Sequence, residues 1–153
     1  MTAVESKQLV ILMKKLPNPK KGLDHPIFDA LCGVVPFVAC ELVIVGPQGM
    51  LLTWRQDRWW KGWHFPGGIL RYRENFEDRI AKVASSELGI RITDYKLIFP
   101  INFNKSKRCH AVSLVFLCHT DDTPKHGKYF TKMPKDIIPE HKELWKKVID
   151  AGY

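Results

Sequence analysis

The sequence has no long hydrophobic run, so we expect no membrane-spanning helix. The best candidate, residues 9–13, is followed by Lys14 and Lys15, whereas a membrane span needs about 18 apolar residues. That run also lacks the apolar length and the small-residue cleavage site of a signal peptide. The chain contains no internal repeat and no low-complexity tract. We therefore expect a soluble, cytoplasmic protein.

Cysteine is scarce, and its spacing is unsuited to metal or disulfide chemistry. The four cysteines are Cys32, Cys40, Cys109 and Cys118, and they include no C-x-x-C pair. A zinc site needs closely spaced ligands, and a disulfide framework belongs to smaller secreted chains. Reduced cysteine in an apolar run packs as a small hydrophobic residue. We assign these residues no chemical role.

Acidic residues are fewer than basic ones, since 16 Asp and Glu stand against 24 Lys and Arg, a formal net charge of +8. This excess favours a polyanionic partner such as a phosphorylated small molecule. We expect neither nucleic acid nor a membrane as the partner, because the charge is accompanied by no RNA-recognition motif and no apolar span. The length of 153 residues, 45% of them hydrophobic, predicts one globular domain.

The hydrophobic pattern changes repeatedly between helix and strand signals, which predicts an α/β (α+β) fold with a mixed β-sheet sandwiched between helices. Helices are predicted for the segment up to about Leu16 and for residues 24–31, 75–88 and 139–151. Strands are predicted for residues 35–45, 50–55, 96–103 and 111–119, a turn or linker for residues 17–22, and loops for residues 59–68 and 120–139. We divide the chain into an N-terminal extension, residues 1–23, and one domain, residues 24–153.

One segment carries the clearest functional signal, because a glycine loop leads there into a helix with acidic residues. Gly68 is followed by Glu74, Glu87 and Gly89. Positions 83, 86 and 87 of the predicted helix are three and four residues apart, which predicts that they share one face. Carboxylates on such a face can hold Mg²⁺, which neutralises a bound diphosphate. The paired glycines let the backbone approach that metal closely.

This segment resembles the signature of the Nudix hydrolases, G-x5-E-x7-R-E-U-x-E-E-x-G-U, in which U is an aliphatic residue. The residues that match it are Gly68, Glu74, Glu87, Gly89 and Ile90. Lys82 keeps the charge of the usual Arg, but Val83 and Ser86 stand where the family has Glu. The resemblance implies the Nudix fold and a hydrolase that uses Mg²⁺, with Mn²⁺ as the alternative metal.

The same two losses are similar to those of one subgroup, the GDP-mannose mannosyl hydrolases. That subgroup has an aliphatic residue at the position of Val83 and a small one at the position of Ser86, and it keeps the Glu-Leu-Gly that ends the motif. Its members cleave the C–O bond at the anomeric carbon of the sugar, with inversion, and release GDP and the free sugar. The resemblance implies the same reaction on a nucleoside diphosphate sugar here, catalysed by a homodimer.

The subgroup's metal ligands and base can be carried over by position. A glycine-loop carbonyl, the helix Glu and a late side chain hold its Mg²⁺, which implies Gly68, Glu87 and Glu140 as ligands. The His directly after the late ligand is the general base, which implies that His141 is catalytic together with Glu87. An imidazole near its ordinary pKa suits that task.

The substrate contacts carried over from the subgroup are fewer. Its diphosphate arginine corresponds to Arg55, and an acid and a His near the sugar correspond to Glu41 and His110. The subgroup also has an Arg directly after Pro-Gly-Gly, where this chain has Ile69. Arg71, or else Arg73, is expected to take over that contact.

Two other functions stay open at this point. A Nudix pyrophosphatase acting on another nucleoside diphosphate derivative would need an acid to replace the two that are lost. The residues available for this are Asp121, Asp122 and Glu140. A Nudix domain without catalysis would instead bind a nucleotide as a sensor. Metal-dependent turnover of any nucleotide sugar would exclude the sensor.

Overall fold

The computed structural model describes residues 1–16 and 21–153, in which two β-sheets lie between helices. The helices are α1 (Ala3–Met13), α2 (His25–Cys32), α3 (Phe76–Val83) and α4 (Pro139–Asp150). The strands are β1 (Phe37–Val43), β2 (Val45–Gly46), β3 (Gly49–Gln56), β4 (Lys61–His64), β5 (Gly67–Ile69), β6 (Asp94–Phe103), β7 (Ala111–His119) and β8 (Lys128–Phe130). One sheet has the order β5-β1-β7-β6, and the other has β2-β3-β4 with β8 also paired to β3. Strands β1 and β7 are parallel and their other neighbours antiparallel, so the predicted mixed sheet between helices is confirmed.

Helices α3 and α4 cover opposite faces of the sheets. Cys40 of β1 packs in one core cluster with Ile80 of α3, whereas Val43 packs in a second cluster with Leu144 of α4. Successive residues of a strand point to opposite faces. Glu41 therefore lies on the α4 side of the sheet, the same side as Val43. This parity decides which polar side chains of β1 and β7 can form a site beneath α4.

The segment predicted as a helix over residues 75–88 changes its geometry halfway. Helix α3 ends at Val83, and Ala84–Leu88 form one π-helical turn. Gly89 follows in the left-handed conformation, with φ of 69°, and its N–H donates to the carbonyl of Ala84. Glycine adopts this conformation without strain because it has no Cβ. The predicted C-terminal cap is confirmed, and the π-helical turn is a feature that the periodicity did not indicate.

Both predicted loops contain a short strand that pairs with β3, and the first loop also contains the start of β5, which pairs with β1. The loop predicted over residues 59–68 holds β4, which pairs with the second half of β3. The loop predicted over residues 120–139 holds β8, which pairs with the first half. Strand β4 has four residues and β8 has three, and neither shows apolar alternation. The sequence pattern therefore did not indicate them, and they are identified by their pairing with β3. Residues 17–20 of the predicted turn lie outside the described residues.

The two N-terminal helices differ in how they relate to the core. Helix α1 begins with a capping box, because Thr2 Oγ1 accepts the N–H of Glu5 at 3.2 Å and Thr2 N donates to Glu5 Oε2 at 2.6 Å. No residue of α1 is buried. Helix α2 buries Phe28, whose ring centroid lies 5.1 Å from that of Phe37. No helix among the described residues is long and apolar enough to cross a membrane.

Candidate functional site

A cavity beside the glycine loop brings together residues that are distant in sequence. It has a volume of about 90 Å³, and its floor includes Glu41 of β1 and Ser113 of β7. The charged and aromatic side chains of its walls include Arg55, Trp60, His64, Arg108, Glu140 and His141. A second cavity of about 380 Å³ shares Arg55, His64 and Arg108 with the first and adds Glu87. Both cavities include Gly67, so the glycine loop separates Glu41 from Glu87.

Glu87 is held against the glycine loop by hydrogen bonds. Its Oε1 accepts the N–H of Gly67 at 3.4 Å, and its Oε2 accepts the hydroxyl of Thr53 at 3.2 Å. His64 Nε2 lies 3.0 Å from Thr53 Oγ1. Burial, and then the charge of Arg55, lowers the pKa of His64 to about 4, so the ring is neutral at neutral pH. Thr53 donates its hydrogen to Glu87, and the contact with His64 holds the Thr53 hydroxyl in place, so both residues fix the carboxylate.

The π-helical turn determines which side chain of the motif reaches the loop. Val83 is buried, and a Cβ added at Gly68 would lie 3.1 Å from its Cγ2. Ser86 is exposed, and its hydroxyl donates to the carbonyl of Val83 at 3.4 Å. A π-helical turn is wider than an α-helical one, and such turns are frequent at functional sites. Val83 and Glu87 both face the glycine loop, whereas Ser86 is exposed. The prediction that the three positions share one face therefore fails at Ser86, and Glu87 is the one residue of the three that brings a carboxylate to the loop.

Glu41 is a buried acid on the floor of the first cavity. Its Oε1 accepts the hydroxyl of Ser113 at 3.1 Å. Its Oε2 lies against Gly67, where an added Cβ would overlap it, so any side chain at position 67 would displace this carboxylate. Burial raises the pKa of Glu41 to about 8, and the nearby Glu87 adds to the increase. Glu41 therefore carries its proton at neutral pH and can donate it to a substrate oxygen.

Replacing Glu41 by Gln is expected to stabilise the fold increasingly as the pH rises. The native state keeps this proton up to a pKa of about 8, whereas the unfolded chain releases it at an ordinary value near 4.5. Between these values the native state binds more protons, so the free energy of unfolding of the wild type falls with rising pH. Gln has no such proton to lose. Urea unfolding in EDTA at about pH 5 and about pH 8 measures the difference between the two proteins. An equal difference at both pH values would show that Glu41 titrates normally.

His141 is buried in the first turn of α4. Its Nδ1 accepts the N–H of Phe65 at 2.9 Å, and its ring stacks on Phe103 with an interplanar angle of 7°. Burial, followed by the charges of His64 and Arg55, holds the pKa of His141 well below its usual value. The expectation of an imidazole near its ordinary pKa is therefore wrong. A neutral ring whose Nδ1 accepts a hydrogen bond carries its proton on Nε2, so His141 is a donor in this arrangement.

Glu140 faces the aromatic loop rather than Glu87. Its Oε2 accepts the indole N–H of Trp60 at 3.0 Å, and its Oε1 accepts the backbone N–H of Lys107 at 3.4 Å. Glu140 lines the first cavity and Glu87 the second. In the part of the chain that the structure describes, no group of three His, Cys, Asp or Glu residues is arranged to hold a metal. The predicted ligands Glu87 and Glu140 are not brought into one cluster.

Two of the three predicted metal ligands, Glu87 and Gly68, nevertheless fit a divalent cation that keeps part of its water shell. Mg²⁺ is usually bound by one or two carboxylates, several waters and the phosphates of the substrate, without a complete protein cage. Glu87 supplies one half-buried carboxylate at the second cavity. Gly68 lines the adjoining first cavity. Glu87 is therefore the side chain that would hold Mg²⁺, with substrate and water completing its shell.

Two guanidinium groups flank the region where the cavities join. Arg55 donates from Nε to Asp57 at 2.6 Å and lies 4.5 Å from the centre of the Trp60 ring. Arg108 lies 4.7 Å from the centre of the Phe28 ring. Burial, and then the charge of Arg55, lowers the pKa of Arg108. In the sequence Arg108 stands out only as part of a small basic loop with Lys105 and Lys107, and the folding of the β6–β7 loop against α2 brings it to the site.

His110 lies outside the first cavity. It lies just before β7, and its neighbours Cys109 and Ala111 line that cavity whereas His110 does not. Its Nε2 lies 2.7 Å from Oδ1 of Asn102 on the neighbouring strand β6. The structure thus does not bring His110 to Glu41, the other residue expected near the sugar.

Neither Arg71 nor Arg73 supplies the positive charge that is missing at Ile69 in the first cavity. The guanidinium of Arg71 packs on Gly22, where an added Cβ would lie 2.8 Å from Nη1. Arg71 lines a separate cavity of about 240 Å³ on the α2 side of the loop. Arg73 lies 5.1 Å from the ring centre of Tyr72. Ile69 itself lines the first cavity, and these two arginines do not.

Comparison with known proteins agrees with this architecture. The NUDIX domain family matches residues 36–146, which is more than half of the chain. The chain belongs to the Nudix family. The protein Agl8 of Haloferax volcanii, named for low-salt glycan biosynthesis, is 36% identical over 77 residues. That match covers 50% of this chain and 49% of Agl8, so the chain spans about half of its relative.

Solved structures show the same fold at low sequence identity. The MutT NUDIX hydrolase from Burkholderia pseudomallei has a TM-score of 0.64 at 22% identity, covering 74% of this chain and 98% of that one. The NUDIX domain of NrtR from Shewanella oneidensis, complexed with ADP ribose, has a TM-score of 0.59 at 15% identity, and the match covers 98% of each chain. A bifunctional NMN adenylyltransferase/ADP ribose pyrophosphatase from Francisella tularensis, complexed with AMP and a Mn ion, has a TM-score of 0.62 at 16% identity. That match covers 83% of this chain and 46% of the other.

Proposed function

We propose that this chain is a Mg²⁺-dependent hydrolase of a nucleoside diphosphate sugar, GDP-mannose or a close relative, acting at the anomeric carbon. The observation that carries the proposal is that Glu87 is the one acid of the helix motif beside the glycine loop. One carboxylate supports one cation, which is enough to neutralise a departing diphosphate. Attack on phosphorus gains from a second cation that activates the water, and Val83 and Ser86 supply no ligand for it.

In the proposed reaction, water forms a bond to the anomeric carbon while the C–O bond to the diphosphate breaks. A cation on Glu87 would supply charge neutralisation at the diphosphate, and Arg55 contacts the same group. Protonated Glu41 donates a hydrogen bond to a sugar oxygen. We propose that His141 is the base that takes the proton from water. Its Nε2 already carries the ring proton, so Nδ1 is the atom that must accept, and for this it has to give up its hydrogen bond from the N–H of Phe65. Glu41 is the weaker candidate for that role because it is protonated at neutral pH.

Two findings bear on the substrate. The similarity to Agl8, a protein of glycan biosynthesis, supports a sugar-containing substrate. The structural likeness to an ADP ribose pyrophosphatase favours the alternative, cleavage at phosphorus in a nucleoside diphosphate derivative. The Mn ion in that structure supports Mn²⁺ as a second usable metal. By the resemblance to the mannosyl hydrolases, we also propose a cytoplasmic homodimer.

The position of bond cleavage tests the proposal directly. Purified protein, Mg²⁺ and a panel of nucleotide sugars with ADP-ribose are incubated in ¹⁸O-labelled water, and the products are analysed by mass spectrometry. We expect the label in the free sugar and none in the nucleoside diphosphate, because water attacks carbon. Label in a nucleoside monophosphate or in a sugar phosphate would assign the chain to the pyrophosphatases. Binding without turnover across the whole panel would instead favour the sensor.

A further inference from the structure

We propose that Arg108, held in place by α2, is the second diphosphate-binding arginine of this chain and replaces the arginine absent at Ile69. The inference rests on the proposed function, because it names a residue that binds the diphosphate of that substrate. It differs from the sequence expectation, which gave this contact to Arg71 or Arg73. It also makes α2, which precedes the family match at residues 36–146, a part of the site.

The position of Arg108 is the first argument. Arg108 and Ile69 line the same two cavities, the one on the Glu41 side and the one on the α2 side of the glycine loop. Arg108 also lines the cavity that contains Glu87. Its side chain therefore borders all three spaces around the loop. A diphosphate that bridges Glu87 and the sugar site would lie within its reach.

The lack of a counter-charge is the second argument. Arg55, Arg58 and Arg79 each form an ion pair with a carboxylate at 2.6 Å. Among the described residues, which include every Asp and Glu of the chain, no carboxylate lies within 4.0 Å of a side-chain nitrogen of Arg108. A half-buried guanidinium beside a second cation, Arg55, gains most from an anion that contacts both. Phosphate oxygens match the planar donor geometry of guanidinium groups.

Helix α2 supplies the support for this side chain. Phe28 is buried, and its ring carries the Arg108 guanidinium on one side while packing near Phe37. Both carboxylate oxygens of Asp29, the next residue of α2, accept hydrogen bonds from Arg58 at 2.6 and 2.7 Å. Arg58 belongs to the loop that carries Trp60, so α2 contacts both Arg108 and this loop, and Arg108 and Trp60 both line the first cavity.

Binding of inorganic pyrophosphate and of GDP tests the proposal without requiring turnover. Isothermal titration calorimetry in Mg²⁺ compares the wild type with Arg108→Ala, Arg108→Lys and the control Arg91→Ala, whose side chain is 89% exposed. We expect Arg108→Ala to weaken binding about tenfold to a hundredfold, as for the loss of a charge-assisted contact. Arg108→Lys should be intermediate because an ammonium group lacks the planar fork. Arg91→Ala should bind like the wild type.

The role of α2 is tested at Phe28, which positions Arg108 without touching the substrate. Phe28→Leu removes the ring but keeps an apolar side chain, and Phe28→Tyr keeps the ring. We expect Phe28→Leu to raise the dissociation constant and KM about threefold to tenfold, with kcat nearly unchanged, and Phe28→Tyr to behave as wild type. A merely structural role would lower the thermal stability of Phe28→Leu and leave the affinity of the folded protein unchanged.

The outcomes separate this inference from the proposed function. Wild-type affinity in Arg108→Ala would overturn the inference, and so would a wild-type protein that binds neither pyrophosphate nor GDP. If binding depends on Arg108 but no nucleotide sugar is hydrolysed, the arginine assignment holds and the proposed reaction fails. If sugars are hydrolysed with equal KM by wild type and Arg108→Ala, the proposed reaction holds and the arginine assignment fails.

Discussion

Replacing Glu87 by Gln is expected to abolish metal-dependent hydrolysis, lowering kcat/KM by about a thousandfold or more. Glu87 is the motif carboxylate beside the glycine loop, with oxygens that accept from Gly67 and Thr53. Gln keeps the size of the side chain but removes the charge that attracts a divalent cation. The neighbouring Val83 and Ser86 cannot substitute, because neither carries an acid.

The measurement combines steady-state kinetics with Mn²⁺ binding followed by electron paramagnetic resonance. Glu77→Gln is the matched control, because Glu77 lies exposed in the first turn of α3 and undergoes the same change of charge. We expect the control to bind Mn²⁺ and turn over substrate as the wild type does. If Glu87→Gln keeps both its Mn²⁺ affinity and its turnover, the metal is held elsewhere.

Replacing Glu74 by Ala is expected to lower the free energy of unfolding by about 3–5 kcal/mol. Arg79 is only 6% exposed, and its Nη2 and Nε lie 2.6 and 2.8 Å from Glu74 Oε2. The same oxygen accepts the backbone N–H of Arg71 at 2.8 Å. Removing the carboxylate leaves a buried guanidinium without its counter-charge and frees the loop that leads into α3. The Glu74 of the sequence motif thus has a structural role.

Thermal and urea unfolding measure this loss, which corresponds to a decrease in Tm of about 10 °C for a chain of this size. Glu143→Ala serves as the control, since Glu143 is 63% exposed and lies 4.0 Å from Lys147. We expect that change to cost less than about 1 kcal/mol, as is usual for exposed pairs. Equal losses in the two variants would mean that Arg79 finds another partner or solvent when Glu74 is removed.

Local sequence patterns predicted the parts of this molecule that depend on local interactions. The third helix, its glycine cap and Glu87 follow from periodicity and motif spacing. The π-helical turn does not, because it depends on how Ala84 and Leu88 pack against the sheet. His141 stands between the charged residues Glu140 and Lys142 in sequence, and its burial follows from the contact of α4 with Phe65.

Strand register and long-range packing account for the other differences. A shift of one residue along a strand exchanges the two faces. The family resemblance marked His110, but this residue lies just before β7, and its neighbours Cys109 and Ala111 line the cavity instead. Arg108 is recognised as a site residue only after α2 and the β6–β7 loop have come together.

The contact between Gly67 and Glu41 restricts the order in which substitutions can accumulate at this site. Any side chain at position 67 overlaps the carboxylate of Glu41, so alanine can enter there only if this carboxylate leaves its place or position 41 becomes shorter. A shorter residue at 41 in turn leaves the hydroxyl of Ser113 without its acceptor. The three positions are therefore expected to change together among related chains, and each single step is disfavoured until its partner has changed.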